Sequence, residues 1–527
     1  MKKRAAMLAL ALALILLCGN AMAEISGGGL LATADANGVI TLTGDVALSS
    51  TVTFAEGKTY TIKGNGHKLT HGDSYRGALL TVPKNTTLTI ENLVIDGGNT
   101  WTLDNTKWAA AKTKSDNNTG VTHQEVKDMV TSSGVDTNGA LITVLGGSVT
   151  MTNTTVQNMY TTGSGKVFWI REGGSVSVGS GTTIKHCAAV DYSTRGLLAN
   201  IANGSMTMAS NVVVEDMFGS CNGAMFDLEG NATLTLNGAN FKNVKTVNAN
   251  GQLAMIRSNS TMTMNSGTIE NFVGLRGTNN PKQGIIYMHS KGKFIMNGGI
   301  IRNNIIGPNG VVDATYVKTD YVELNGGSIV NNKTDRQNTT NYSIANQSPV
   351  KLGKDIVIDA PINVTPFWDA HVTDEGNHSQ YLGGAACKIG DKYYGRIDDA
   401  SHKAKDGETI TLVRDTDLNG HVVGVADKDI TIDLNGKKLS QSRTDKTLFN
   451  VDKGTLRVTD SRGGGAINTS DGQDMGELSH GSKIIFVQPS GADVPKTGDS
   501  TPLALLFTLL ALSGLAILTL RKKSLTH

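Results

Sequence analysis

Between residues 77 and 332 apolar and polar positions alternate in short bursts, and one pattern of bursts recurs eight times. Each copy opens on Gly and runs into an alternating strand. A turn, an apolar-x-apolar strand, a second turn and an apolar-x-Asn close follow. The copies opening at Gly223, Gly251, Gly284 and Gly310 show it most plainly. The second-strand anchors are Leu88, Val149, Val176, Met206, Leu234, Met262, Phe294 and Val322. From Val149 onward they are spaced 27, 30, 28, 28, 32 and 28 residues apart. A repeat in this range predicts a solenoid. No burst is long enough for paired helices, which excludes the helical repeat classes. One strand set per coil predicts a parallel β-helix with rungs about 4.8 Å apart, so that eight rungs extend roughly 40 Å. A single rung cannot bury its own apolar side. Stacked rungs share one core, and stability builds through neighbours.

One column stands out. Asn158, Asn243, Asn271, Asn303 and Asn331 hold the same place in five copies. With one extra residue in the preceding turn, His186 and Asp216 fall there too, and Gly97 completes the set. Asn tolerates the left-handed conformation of a sharp corner, and stacked amides can bond along a column. A structural Asn ladder is therefore expected in place of a ligand or ion site.

These residues resemble the right-handed parallel β-helix family, the pectate-lyase-like fold. In particular they resemble the adhesin-like repeat proteins of Gram-positive gut bacteria. The resemblance covers most of residues 40 to 335, and the stretch from Val39 to Leu69 reads as opening rungs. A second start appears at Asp391–Leu418, a capping helix and first rungs, followed by Ile430–Leu439. The expected partition is an all-β chain with a β-helix over 24–335, a connecting or edge segment over 336–390, and a second short β-helix-like unit of about three rungs over 391–470. The polar, Gly-rich stretch 471–493 reads as a wall linker.

The two ends carry export signals. Lys2, Lys3 and Arg4 precede the apolar run Ala5–Leu17, and Ala21-Met22-Ala23 supplies the small residues of a cleavage site. That order makes 1–23 a secretory signal peptide. Cys18 raises a lipoprotein alternative, but Leu17 is too large for a lipobox. At the other end, Val494, Pro495, Lys496, Thr497 and Gly498 precede the 18-residue apolar run Leu503–Leu520 and the basic Arg521-Lys522-Lys523. Such a run spans roughly 27 Å as a helix, enough for a bilayer core. Residues 494–527 resemble a Gram-positive cell-wall sorting signal with a transmembrane sorting helix. The resemblance implies a sortase that cleaves after Thr497 and joins its carbonyl to peptidoglycan. The first position, Val494, departs from the Leu of that pattern.

Without leader and tail, 42 basic side chains face 45 acidic ones, which gives no basic patch and no expectation of nucleic acid. Cys187, Cys221 and Cys387 remain, too few and too odd for a disulfide framework. No cofactor and no metal site is expected. Arg171, Glu172, Asp227, Glu229 and Arg257 fall on neighbouring first strands, but they are of mixed sign and form no acid pair, as a solvated face or weak salt bridge would. The polygalacturonase signatures are missing as a set, and so is the calcium nonapeptide. Val82-Pro83-Lys84-Asn85 reads as a turn and not as a pilin lysine motif. The longest connection, from Gly98 to Asn138, holds Trp101 and Trp108 and a short helix near His123–Val130. Exposed, the two indoles would be a candidate ligand-binding loop for a glycan or host surface protein. Folded down, they would be a lid. The expectation is a non-enzymatic adhesin or glycan binder at the cell surface. A polysaccharide lyase or glycoside hydrolase on the same scaffold is the alternative.

Overall fold

The computed structural model describes residues 22–278, 284–307, 310–314, 321–334, 340–364, 370–469 and 474–487. Nearly all of the expected leader, and all of the sorting signal from Val494 through Thr497 and Gly498 to the basic tail, lie outside the described residues. Among the described residues no helix is long and apolar enough to cross a membrane. The chain forms two compact units, Met1–Asn363 with Asp374–Gly383, and Val364–Thr373 with Gly384–His527.

The first unit is a parallel β-solenoid. Its second strands pair in an unbroken register in which Leu88 meets Val149, Val149 meets Val176, and the chain of partners continues through Met206, Leu234, Met262 and Phe294 to Val322. The next inward position gives a second buried row, from Ile62 and Ile90 through Met151, Val178, Met208, Leu236, Met264 and Met296 to Leu324 and Leu352. Burying each such side chain contributes about 1.5–3 kcal/mol. The flexible thioethers of the four Met rungs fill gaps that branched side chains would leave. The first strands stack separately as an 11-stranded sheet. Helix α1 (Gly27–Leu31), capped by the Ser26 hydroxyl, buries Leu30 at the start of this unit.

Corners come from left-handed residues. Asn158, His186, Asp216, Asn243, Asn271, Asn303 and Asn331 all have φ between 52° and 59°. Gly97 shares the column for a different reason: a Cβ there would sit 2.5 Å from the Asn158 carbonyl oxygen. The amides bond in this column only in part, as where Asn331 Nδ2 donates to Asn303 Oδ1. The continuous ladder runs one corner earlier. Asn265, Asn297 and Asn325 each donate Nδ2 to Oδ1 of the preceding rung at 2.8 Å, starting from Asn237.

Two boundaries differ from expectation. Residues assigned to a connecting segment add another rung, with strands Ile344–Asn346 and Val350–Ile358. Residues 374–383 then close on it, with His378 buried and its Nε2 2.9 Å from the Ile356 carbonyl. The alternation that marks this rung is short and interrupted, which hid it. In the second unit, the stretch expected as a wall linker supplies strands Gly476–Ser479 and Lys483–Phe486, which pair parallel with Phe449–Asp452 and Thr455–Thr459. Its small, charged composition concealed the alternation at Leu478 and Ile484, both of which pack on the core.

The second unit has three parallel strand columns and a core of Ile410, Ile432, Val425, Phe449 and Val458, among others. An antiparallel pair, Cys387–Ile389 with Lys392–Tyr394, precedes it.

The Gly that opens a copy has a steric cause at Gly165, Gly196, Gly223 and Gly251, where a Cβ would meet backbone, though not at Gly139, where it would meet nothing. At Gly251, with φ 75°, a Cβ would lie 2.0 Å from the Ala254 carbonyl oxygen, whereas at Gly57, with φ 71°, it would meet nothing. Gly57→Ala is expected to cost about 1–2 kcal/mol, the left-handed penalty alone. Gly251→Ala is expected to cost clearly more. Denaturant midpoints of the two variants check this, and equal losses would refute it.

Candidate functional site

The long connection of the first unit is a folded lid. Strands Asn99–Leu103 and Val130–Gly134 pair as an antiparallel hairpin. Helix α2 (Asn105–Asp116) starts at Asp104, whose carboxylate accepts from Thr106 N at 2.9 Å and Lys107 N at 3.1 Å. Helix α3 (His123–Asp128) opens with a capping box between Thr122 and Glu125. The far end is pinned where Val121 N donates to the Arg276 carbonyl at 2.8 Å and Arg276 N donates to Ser115 Oγ at 2.9 Å.

The indoles are therefore not displayed. Trp101 is 4% exposed and Trp108 9%. They pack with Val126 and Met129 onto Tyr160, Phe218, Val247 and Leu275 from successive rungs. Those apolar side chains sit just beyond the corner column, and the aromatic rings cover them. Of the described tryptophans, Trp169 is the exposed one, with the Arg171 guanidinium 5.2 Å over its ring. Sequence reasoning passed over it, because one Trp inside an alternating strand gives no sign of facing outward.

A groove of about 370 Å³ lies between lid and corner column, lined by Trp101, His186, Asp216, Phe218, Asn243 and Lys245 among others. His186, Asp216 and Asn243 come from successive rungs, since the strands that carry them pair directly. His186 Nδ1 lies 2.7 Å from Asp216 Oδ2. An ionised carboxylate only accepts, so His186 Nδ1 donates in this bond. Trp101 stacks on His186 at 4.4 Å and 11°, and its Nε1 donates to the His186 carbonyl at 3.0 Å. The imidazole is thus held in place by the lid. Lys245 Nζ sits 5.5 Å from the centre of the Trp108 ring. The groove offers an amine, a carboxylate, an imidazole and an amide beside an aromatic edge. Its lining carries one carboxylate, whereas glycoside hydrolysis uses two that flank the scissile bond.

The charged cluster on the first strands is more enclosed than expected. Asp227 has no exposed surface. It accepts Arg257 Nε at 3.0 Å and Nη2 at 2.9 Å, and Asn200 Nδ2 at 3.1 Å. Arg257 Nη2 also reaches Glu229 Oε2 at 2.5 Å. Burial opposes the Arg257 charge, but the Asp227 and Glu229 carboxylates outweigh it and hold the guanidinium above its usual range. Both carboxylates are committed to arginine, which makes the cluster a structural clamp. Cys187 and Cys221 are fully buried, and burial pushes both thiols up to about 12. They are small core residues without nucleophilic character. Among the described residues no group of His, Cys, Asp and Glu converges as a metal site.

Compared with known proteins, the chain matches no described family and no curated relative. One solved structure is similar, the A-module of the mannuronan C-5 epimerase AlgE6 of Azotobacter vinelandii. The match has a TM-score of 0.27 and 8% identity, and it covers 88% of this chain and 96% of that one. A match this loose carries no inference about the site.

The lid's role gives a direct expectation. Trp101→Ala removes a buried indole, at about 3–5 kcal/mol, from a cluster local to the lid. Amide hydrogen exchange over residues 99–134 should rise sharply while the rung strands stay protected. Unchanged protection of the hairpin would show that the indole does not hold the lid.

Proposed function

We propose that the protein is an exported surface protein of a Gram-positive bacterium, joined to the cell wall through Thr497, and that its first unit binds glycan in the groove beside the lid. The anchoring rests on the sequence at the two ends. The binding rests on one observation: the corner column changes from Asn to His186 and Asp216 beneath the lid, where Lys245 also lines the groove. Sugar hydroxyls both donate and accept, and this rim supplies both partners next to an aromatic edge. The lid fixes the imidazole, so little side-chain freedom is lost on binding.

A second reading has a specific basis. A base held by a carboxylate, with a nearby ammonium to offset a uronate, is the equipment for abstracting a proton beside a carboxylate. That reading makes the groove a polyuronide lyase or epimerase site, and the lone groove carboxylate favours it over a hydrolase.

Retention on immobilised glycans, with product assay on the same samples, separates the two. Asp216→Asn with Lys245→Ala should weaken retention at least about tenfold, or roughly 1.4 kcal/mol, while Trp169→Ala leaves it intact. Retention lost with Trp169 alone would move the site to the strand face. Unsaturated or epimerised uronate products would replace binding with catalysis. For the anchor, Thr497→Ala should send the protein into the medium, and continued wall attachment would refute the sortase reading.

A further inference from the structure

The second unit has a cavity of its own, of about 670 Å³. Its floor is the outer face of strand Val423–Ala426, where Val423 and Val425 point into the core and Gly424 and Ala426 are exposed. The next rung sets Asn450 beside Gly424 and Asp452 beside Ala426. Helix α4 (Ile397–Lys403) contributes Asp398 to the wall, together with His421 from the turn before the floor strand.

Gly424 is the telling residue. Its φ is outside the left-handed region, and a Cβ built on it meets nothing within 4 Å. Glycine inside a strand weakens it, through lost backbone entropy and a missing side chain. Nothing in the fold offsets that cost here, in contrast to the clash that explains Gly251. A bare strand position on the floor of an open cavity is what the close approach of a flat ligand requires.

The polar walls narrow the ligand class. Arg396 is occupied internally. It clamps Asp399 through Nε at 3.0 Å and Nη2 at 2.9 Å, and its Nη1 lies 3.2 Å from His421 Nε2. Because guanidinium only donates, His421 Nε2 accepts, and the protonated Nδ1 faces Asp398 Oδ2 at 3.3 Å. Lys428 Nζ is directed at the carbonyls of Ser401 at 2.7 Å and Ala404 at 2.8 Å. Both nearby cations are thus committed to the protein, Arg396 also reaching the buried Asp398 Oδ1 at 3.2 Å, while Asp398 Oδ2 and Asp452 line the cavity on its acceptor side. Asp452 takes its two bonds, from Ser479 Oγ and His480 Nδ1, on Oδ1. An anionic ligand would meet carboxylates here with no uncommitted cation in the lining.

We propose that this cavity is a second, independent saccharide site, for a neutral or amino sugar whose ring lies flat on Gly424 and Ala426 and donates to Asp398 and Asp452. It belongs to the second unit and does not depend on the reading of the first unit's groove. The whole exported chain is titrated calorimetrically with chitohexaose, cellohexaose and polygalacturonate, alongside melting curves. The expected result is binding of one or both neutral probes. Gly424→Val should weaken it at least about tenfold while melting stays level or rises, because a strand former replaces glycine. Asp452→Asn, close to isosteric, should weaken binding without unfolding. A lowered melting temperature in Gly424→Val would make the glycine structural and overturn the proposal. So would neutral-sugar binding indifferent to Gly424 and Asp452, binding of polygalacturonate alone, or no binding of any probe.

Discussion

Everything in this protein depends on the stacking of one rung on the next. No rung has a core of its own, and each inward side chain finds its apolar neighbours one strand spacing away. The buried row from Ile62 to Leu352 is the direct expression of that constraint. Stacking at a fixed spacing also fixes every corner, so one left-handed residue must recur in each copy. Asn meets that need at little cost and can also bond to the rung before it. A separate ladder from Asn237 to Asn325, whose members are not left-handed, links successive rungs through amide bonds at 2.8 Å per step.

The same stacking builds the candidate sites. A solenoid delivers residues to its surface in columns, so changing one position in two or three successive rungs writes a local chemistry onto a rigid frame. In the first unit the corner column does this with His186 and Asp216, and a folded lid completes the groove. In the second unit an outward strand row does it with Gly424 and Ala426, flanked by Asn450 and Asp452.

Much of the first unit was legible in the sequence, because inward positions repeat at the rung period. The anchors Leu88 to Val322 are register partners in order. What escaped was whatever the period does not encode. The last rung of each unit lacks a full repeat, and both were read as connecting chain. The Asn237 ladder was visible in the four plain copies, as an Asn ending each second strand, but the more conspicuous apolar-x-Asn column drew the ladder reading. Burial of Asp227 could not be foreseen, since alternation marks it as outward and the Asn200 and Arg257 side chains that bond it come from neighbouring rungs. The fate of Trp101 and Trp108 turned on tertiary packing against Phe218 and Leu275, more than a hundred residues away along the chain. The sites themselves were only half visible. His186 and Asp216 were placed in the right column, but Lys245 and the Gly424 floor carry no local signal.

The central claim is the in-register parallel stack, and a cross-link tests it most directly. Thr235 and Thr263 are register partners on neighbouring rungs, while Thr235 and Ile295 are two rungs apart. The native Cys187, Cys221 and Cys387 are buried and will not compete. At about 4.8 Å per rung, Thr235→Cys with Thr263→Cys falls within the Cα range of a disulfide, and Thr235→Cys with Ile295→Cys, at about 9.6 Å, falls outside it. Mild oxidation of the folded chain should close the first pair and leave the second open. An open first pair or a closed second pair would contradict the stack.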